Sequence, residues 1–291
     1  MPVRFSVSLL LFVCLSLARL ASASIVDVTS PTTDWTPITY GSNNPDPSND
    51  QQTGSGEGDI VGNINHPSFY TAFGDAGTLS LTDGTLGFRV RVGADDSPAG
   101  FKGAFFVGID ANHDGAIDLF IGVNNSGSSD MIGIFAPGNG ANTSPNTTTI
   151  VSTPLFSYII TASNYSWLAV NTTIDPTVGT ATDLNGDGKN DYFLTFTVPF
   201  ADVIAALSGR GITGVDQNST FSYVAATSTQ GNALNQDLNG VGAGYDGNAT
   251  WSTLGVVSDP MTAGGIPVPE PNTALFSSLI VAAAIARTRR S

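Results

Sequence analysis

At 291 residues the chain is longer than a typical single domain but fits one large β-sandwich or barrel. Charged residues make up 12%, about half the ~25% usual in soluble domains, and Gly (33 residues), Asn, Thr and Ser take their place, which disfavours a helical bundle. The net charge is −14, and between the two ends five bases (Arg89, Arg91, Lys102, Lys189 and Arg210) face 23 acids. Such a surface repels nucleic acid and anionic lipid headgroups and attracts divalent cations.

The chain opens as a secretory signal peptide over residues 1–23. Arg4 supplies the positive start, 7–17 form an apolar helix too short to span a bilayer, and Ala21-Ser22-Ala23 offers a cleavage site for signal peptidase. The only cysteine, Cys14, lies inside this segment, so no disulfide framework braces the mature chain.

Residues 24–265 read as one all-β domain. Apolar or alternating runs of strand length recur at 86–92, 103–109, 117–123, 131–135, 192–198 and 221–226, each flanked by Gly, Asn, Asp or Pro. The run 87–92 alternates cleanly, which predicts one packed face and one wet face. A single short helix is predicted over 199–207, with Pro199 near its first turn and Gly209 just past its end. The polar stretches 43–59 and 137–149 read as long surface loops. The fold class is an antiparallel β-sandwich with one short helix, plus an N-terminal signal helix and a C-terminal hydrophobic helix.

Two segments share the form D-x-N-x-D-G-x-x-D. One holds Asp110, Asn112, Asp114, Gly115 and Asp118; the other holds Asp183, Asn185, Asp187, Gly188 and Asp191. Oxygen-bearing side chains at every second position of a tight loop converge on one point. Gly at the sixth position permits the sharp turn, and the carbonyl of Ala116 or Lys189 at the seventh adds an oxygen. Both loops resemble the calcium loops of dockerins, EF-hands and thrombospondin type 3 repeats, and the resemblance implies structural Ca2+. Ile121 and Leu194 replace the bidentate acid those families carry at the twelfth position, so the remaining oxygens come from elsewhere: Asp95, Asp96, Asp130, Asp202 or water. Asp-Gly and Asn-Gly also make hairpin turns without metal. A third fragment, Asp237-Leu238-Asn239-Gly240, lacks the later acids and reads as a turn.

The catalytic inventory is thin. His66 and His113 are the only histidines, Glu57 is the one glutamate outside the C-terminal tail, and no G-x-S-x-G, H-E-x-x-H or phosphate-cradling glycine loop occurs. His66 reads as a surface residue, His113 as exposed loop filling, and Trp35, Trp167 and Trp251 as core. The run 86–92 followed by the 103–123 hairpin resembles the DOMON and carbohydrate-binding-module-9 type of β-sandwich, which implies a binding rather than a catalytic role.

The chain closes on the sequence Val268-Pro269-Glu270-Pro271, an apolar stretch over 274–286, and Arg287, Arg289 and Arg290. Two prolines break incoming secondary structure, the apolar run starts a helix in the membrane, and the arginines hold its end on the cytoplasmic side. These three parts in this order resemble the PEP-CTERM sorting signal of bacteria with an outer membrane, with Asn272 where Ser is common. The resemblance implies cleavage by an exosortase and release of the middle to the cell surface or extracellular matrix, the membrane being touched only through residues 266–291 before processing.

The expectation is therefore an exported, non-enzymatic, calcium-stabilised β-sandwich that binds exopolysaccharide. The alternatives are a secreted polysaccharide-acting hydrolase and a self-associating structural protein of the envelope.

Overall fold

The computed structural model describes residues 25–265 except 41–45, 54, 97–99, 128–129, 143–148, 243–245 and 247. The signal peptide and the sorting signal, including Val268 to Pro271 and Arg287, Arg289 and Arg290, lie outside the described residues. In chain order the strands are β1 (Thr36–Pro37), β2 (Phe69–Gly74), β3 (Thr85–Val92), β4 (Ala104–Asp110), β5 (Leu119–Asn124), β6 (Met131–Phe135), β7 (Phe156–Ile159), β8 (Tyr165–Ala169), β9 (Tyr192–Pro199), β10 (Thr220–Ser228), β11 (Asp237–Leu238) and β12 (Met261–Thr262). Helix α1 (Phe200–Gly209) follows β9, and the single turn α2 (Trp251–Leu254) follows β11.

All pairings between these strands are antiparallel. One sheet has the order β1-β2-β3-β9-β8; the other runs β11-β10-β4-β5-β6-β7, with β12 also paired to β10. The fold is the all-β sandwich that the strand-length runs predict. Its core lies between the sheets. Leu86, Phe88 and Val90 of β3 and Leu194, Phe196 and Val198 of β9 meet Phe105, Val107, Ile121, Ile134 and Tyr223 from the other sheet. Rings bridge the gap edge to face: Phe69–Phe105 at 6.1 Å, Phe88–Tyr223 at 5.4 Å and Phe105–Phe196 at 6.1 Å. Each fully buried ring contributes about 1.5–3 kcal/mol of transfer free energy, so this seam is a principal source of stability in a chain without disulfides.

Helix α1 carries the expected helical signal. Pro199 precedes it with φ −60°, and Phe200, Val203, Ala206 and Leu207 form the buried stripe packed onto the core. Gly211 turns the chain away beyond its end at φ 87°.

The alternation in β3 misleads about its second face. Arg89 and Arg91 are fully buried, not wet. The N-terminal segment lays Val26 and Trp35 over this face, and 170–178 adds Val170, Ile174 and Val178, closing a second apolar cluster around Tyr70 and Phe193. The Arg89 guanidinium sits 4.4 Å from the Trp35 ring centroid, and its Nε donates to Thr195 Oγ1 at 2.8 Å. The outer face of the other sheet is covered too, by Leu234, Leu238, Trp251 and Val256 over Phe106, Phe120 and Val224. The middle strands of each sheet are thus covered on both faces.

The described part of the 43–59 stretch is likewise no simple surface loop. Asp46, Glu57 and Asp59 are buried, and the segment is strapped to the β10–β11 edge: Gln52 N–H donates to Gln236 O at 2.9 Å, and Thr227 Oγ1 donates to Gly58 O at 2.6 Å.

Candidate metal centres

The first aspartate loop is the hairpin between β4 and β5. Its side-chain oxygens fold it by accepting amides a few residues on, the habit that makes Asx residues turn formers. Asp110 Oδ2 accepts from Gly115 N–H at 3.0 Å, Asn112 Oδ1 from Asp114 N–H at 2.9 Å, and Asp114 Oδ1 from Ala116 N–H at 2.9 Å. Asp118 Oδ2 closes the turn by accepting from Ala111 N–H at 2.8 Å. Gly115 takes φ 83°, and His113, though not a glycine, also has positive φ, at 58°. Asp110 is buried, and its Oδ1 has no hydrogen-bond partner. Burial raises the Asp118 carboxyl above its ordinary range, against the pull of the Ala111 amide.

The second loop repeats these four hydrogen bonds and adds a fifth, from Gly186 N–H to Asp183 Oδ1 at 2.7 Å, where Asp110 Oδ1 has none. Asp183 Oδ2 accepts from Gly188 N–H at 2.9 Å, Asn185 Oδ1 from Asp187 N–H at 3.2 Å, Asp187 Oδ1 from Lys189 N–H at 2.8 Å, and Asp191 Oδ2 from Leu184 N–H at 3.1 Å. Gly186 at φ 74° stands where His113 does in the first. The surroundings differ, however. Asp191 is buried against Arg91, whose Nε donates to its Oδ2 at 2.7 Å. Lys189 Nζ reaches Asp96 Oδ1 at 2.6 Å, and Asn185 Nδ2 donates to Asp59 Oδ2 at 3.3 Å. Burial pushes the Asp191 carboxyl up to about 6 in spite of Arg91. The second loop is therefore bound by protein groups where the first retains an unpartnered oxygen.

Of the further oxygen donors expected from elsewhere, Asp96 alone is joined to a loop, through Lys189; Asp202 accepts from Tyr158 O–H at 2.7 Å.

Neither loop brings its three aspartates as close together as a third group does. Among the described residues, one set of three acids has ligand oxygens all within 4.8 Å of one another: Asp46, Asp50 and Asp237. Asp237 opens the fragment read as a turn. The fragment does turn after it, with Gly240 at φ 90°, but Asp237 itself is in β11 and buried. Burial raises both Asp46 and Asp237 well above the usual carboxylate range, and the neighbouring acids add to it. No spacing rule connects positions 46, 50 and 237. The only sequence signal is the excess of acids with so few bases.

The histidines are both engaged. His66 is nearly buried, with Nδ1 3.5 Å from Asp175 Oδ2, which corrects its reading as a surface residue. His113 is exposed as expected; its Nε2 lies 2.8 Å from Thr220 Oγ1 and its Nδ1 3.3 Å from Ser222 Oγ. Hydroxyls therefore occupy both its ring nitrogens, and no carboxylate orients it as a catalytic base requires. Trp35 and Trp251 are core, whereas Trp167 is half-buried, stacked on Tyr192 at 5.0 Å, and lines a cleft of about 680 Å³ with Phe101, Asn125, Asp130 and Tyr165.

The described residues thus form an all-β protein of the antiparallel sandwich class, with two Asx-folded aspartate loops and one convergent set of three acids, Asp46, Asp50 and Asp237. No family model matches the chain, and neither does any curated protein or solved structure. Among the described residues no helix is long and apolar enough to cross a membrane.

Proposed function

We propose that the chain is an exported, non-enzymatic protein of the cell surface or extracellular matrix, whose β-sandwich is stabilised by calcium and binds exopolysaccharide. The observation that carries the calcium part of this reading is Asp110 Oδ1, a buried carboxylate oxygen without a partner at the start of a loop already folded by its own Asx hydrogen bonds. A buried anionic oxygen costs several kcal/mol unless something positive meets it. The loop's other oxygen donors are Asn112, Asp114 and the carbonyl of Ala116, all hard ligands suited to calcium. Asp118 shapes the turn through the Ala111 amide. The second loop is the weaker candidate, because Arg91 already supplies the positive charge at Asp191.

Export supplies the ion, since extracellular calcium is typically millimolar and fills even weak sites. The exposed location rests on the two terminal segments, a signal peptide and a sorting signal of the exosortase type. The cleft beside Trp167 is within the roughly 300–1,000 Å³ range of small-ligand sites and presents aromatic and polar walls to a sugar.

Mass spectrometry of the native protein tests the reading. The expected species begins after Ala23 and ends near Pro269–Pro271, and it is recovered from the cell surface or matrix. An intact species from Met1 to Ser291 recovered from cytosol overturns it.

A further inference from the structure

We propose that Asp46, Asp50 and Asp237 form a second, separate site for one hard divalent cation, which clamps the 46–59 segment onto the edge of the seven-stranded sheet. Two of the three carboxylates come from the connection between β1 and β2; the third comes from the first residue of β11. Their ligand oxygens lie within 4.8 Å of one another. Opposite ligands of an ion that takes oxygen at about 2.4 Å stand about 4.8 Å apart, so a single ion of calcium size can touch all three.

The closeness of three acids would not by itself make a site. The second observation is Asp46, which is 2% exposed and keeps one carboxylate oxygen, Oδ2, buried without any hydrogen-bond partner. Its other oxygen, Oδ1, already accepts from Gly240 N–H. Asp237 Oδ2 accepts from Ile60 N–H at 2.6 Å. The described ion pairs involve Asp96, Asp175, Asp187 and Asp191, so none brings a Lys or Arg to Asp46 or Asp237. A fourth acid, Asp59, is also buried and accepts from Asn49 N–H at 2.9 Å and Asn185 Nδ2 at 3.3 Å, but it does not belong to the set whose oxygens converge within 4.8 Å.

The chemistry of the donors selects the ion. All three are carboxylates, with no thiolate or imidazole among them, which favours hard cations over zinc or copper. Asp50 is only partly buried and gives the ion a way in. The protein's part is to hold two distant chain segments so that their charges converge, and the ion's part is to make that convergence favourable. With the ion in place, the 46–59 segment, Ile60 and the turn at Gly240 become one unit. Asn49 Nδ2 donates to Asn185 O at 2.8 Å, so the same unit extends to the second aspartate loop.

The test is equilibrium dialysis of the purified full chain against millimolar calcium, with Asp46→Asn, Asp50→Asn and Asp114→Ala beside it. Asp46→Asn and Asp50→Asn are each expected to bind about one ion fewer than the unmodified chain and to keep the ion that Asp114→Ala loses. Hydrogen exchange on the unmodified chain gives a readout that needs no variant: the amides of Ile60 and Gly240 become more protected when calcium replaces EDTA. Equal calcium content in the unmodified chain, Asp46→Asn and Asp50→Asn, or amide protection that calcium leaves unchanged, overturns the proposal and leaves protons as what neutralises the cluster. An Asp114→Ala chain that binds as many ions as the unmodified chain overturns the first-loop assignment and leaves this one standing.

Discussion

Arg91 Nη2 lies 2.5 Å from Asp191 Oδ2, and both side chains are wholly shielded from solvent. This pair joins the middle of the five-stranded sheet to the second aspartate loop, because Arg91 is in β3 and Asp191 is the last acid of the loop. The Arg91 Nη2 group also donates to Ala181 O at 2.5 Å, so one side chain holds both ends of that loop. Removing one member of such a pair strands the other as an uncompensated buried charge. Arg91→Met should therefore cost about 3–5 kcal/mol in urea denaturation. A loss below about 1 kcal/mol would show that the pair does not organise this face.

Calcium should raise the melting temperature of the full chain, and EDTA should lower it again. The rise should shrink in Asp114→Ala and change less in Asp187→Ala, because Arg91, Lys189 and Asp59 already hold the second loop from outside. Scanning calorimetry of the two variants with and without calcium decides this. A full calcium response in Asp114→Ala would reject the first loop as a metal site.

Acidity should act on the metal-free protein in a direction opposite to the usual one for carboxylates. Burial raises the folded-state values of Asp46, Asp59, Asp118, Asp191 and Asp237, each against opposing hydrogen bonds and, at Asp191, against Arg91 as well. A group raised in the folded state contributes its stability below its unfolded value and loses it as pH climbs through the folded value. For Asp191 that window runs from the ordinary 3.8 to about 6. In EDTA the chain should accordingly melt higher near pH 5 than near pH 7.5, and calcium should reduce or reverse the difference. A melting temperature in EDTA that rises from pH 5 to pH 7.5 would contradict the assignment.

Gly93 follows β3 where the second loop comes closest. A Cβ placed there would stand 2.4 Å from Asn185 Nδ2 and 3.0 Å from Asp59 Oδ2. Gly93→Ala should cost about 1–3 kcal/mol by forcing these groups apart. Gly209→Ala is the control: nothing lies within 4 Å, and it ends a helix, so the change should be neutral or stabilising by up to about 1 kcal/mol. Equal effects in chemical denaturation would remove the close approach as the cause.

Local patterns are legible in the amino-acid sequence itself. The run 131–135 is β6 to the residue, 192–198 falls inside β9, Pro199 immediately precedes α1, and Gly209, expected just past its end, is its last residue. The D-x-N-x-D-G spacing identifies two turns that fold alike, because Asx oxygens and a left-handed glycine act within nine residues of chain. Strands β7 and β8 leave no comparable signal, because they are partly exposed and carry polar residues among the apolar ones. What the tertiary structure alone decides is which segments meet. The wet face expected of β3 is dry because Trp35 and Ile174, distant in sequence, lie over it. Asp46 and Asp237 share a buried site although nearly the whole domain separates them along the chain. Periodicity records how a segment relates to its own neighbours, whereas burial and charge convergence depend on contacts between remote segments, and those exist only once the chain has folded.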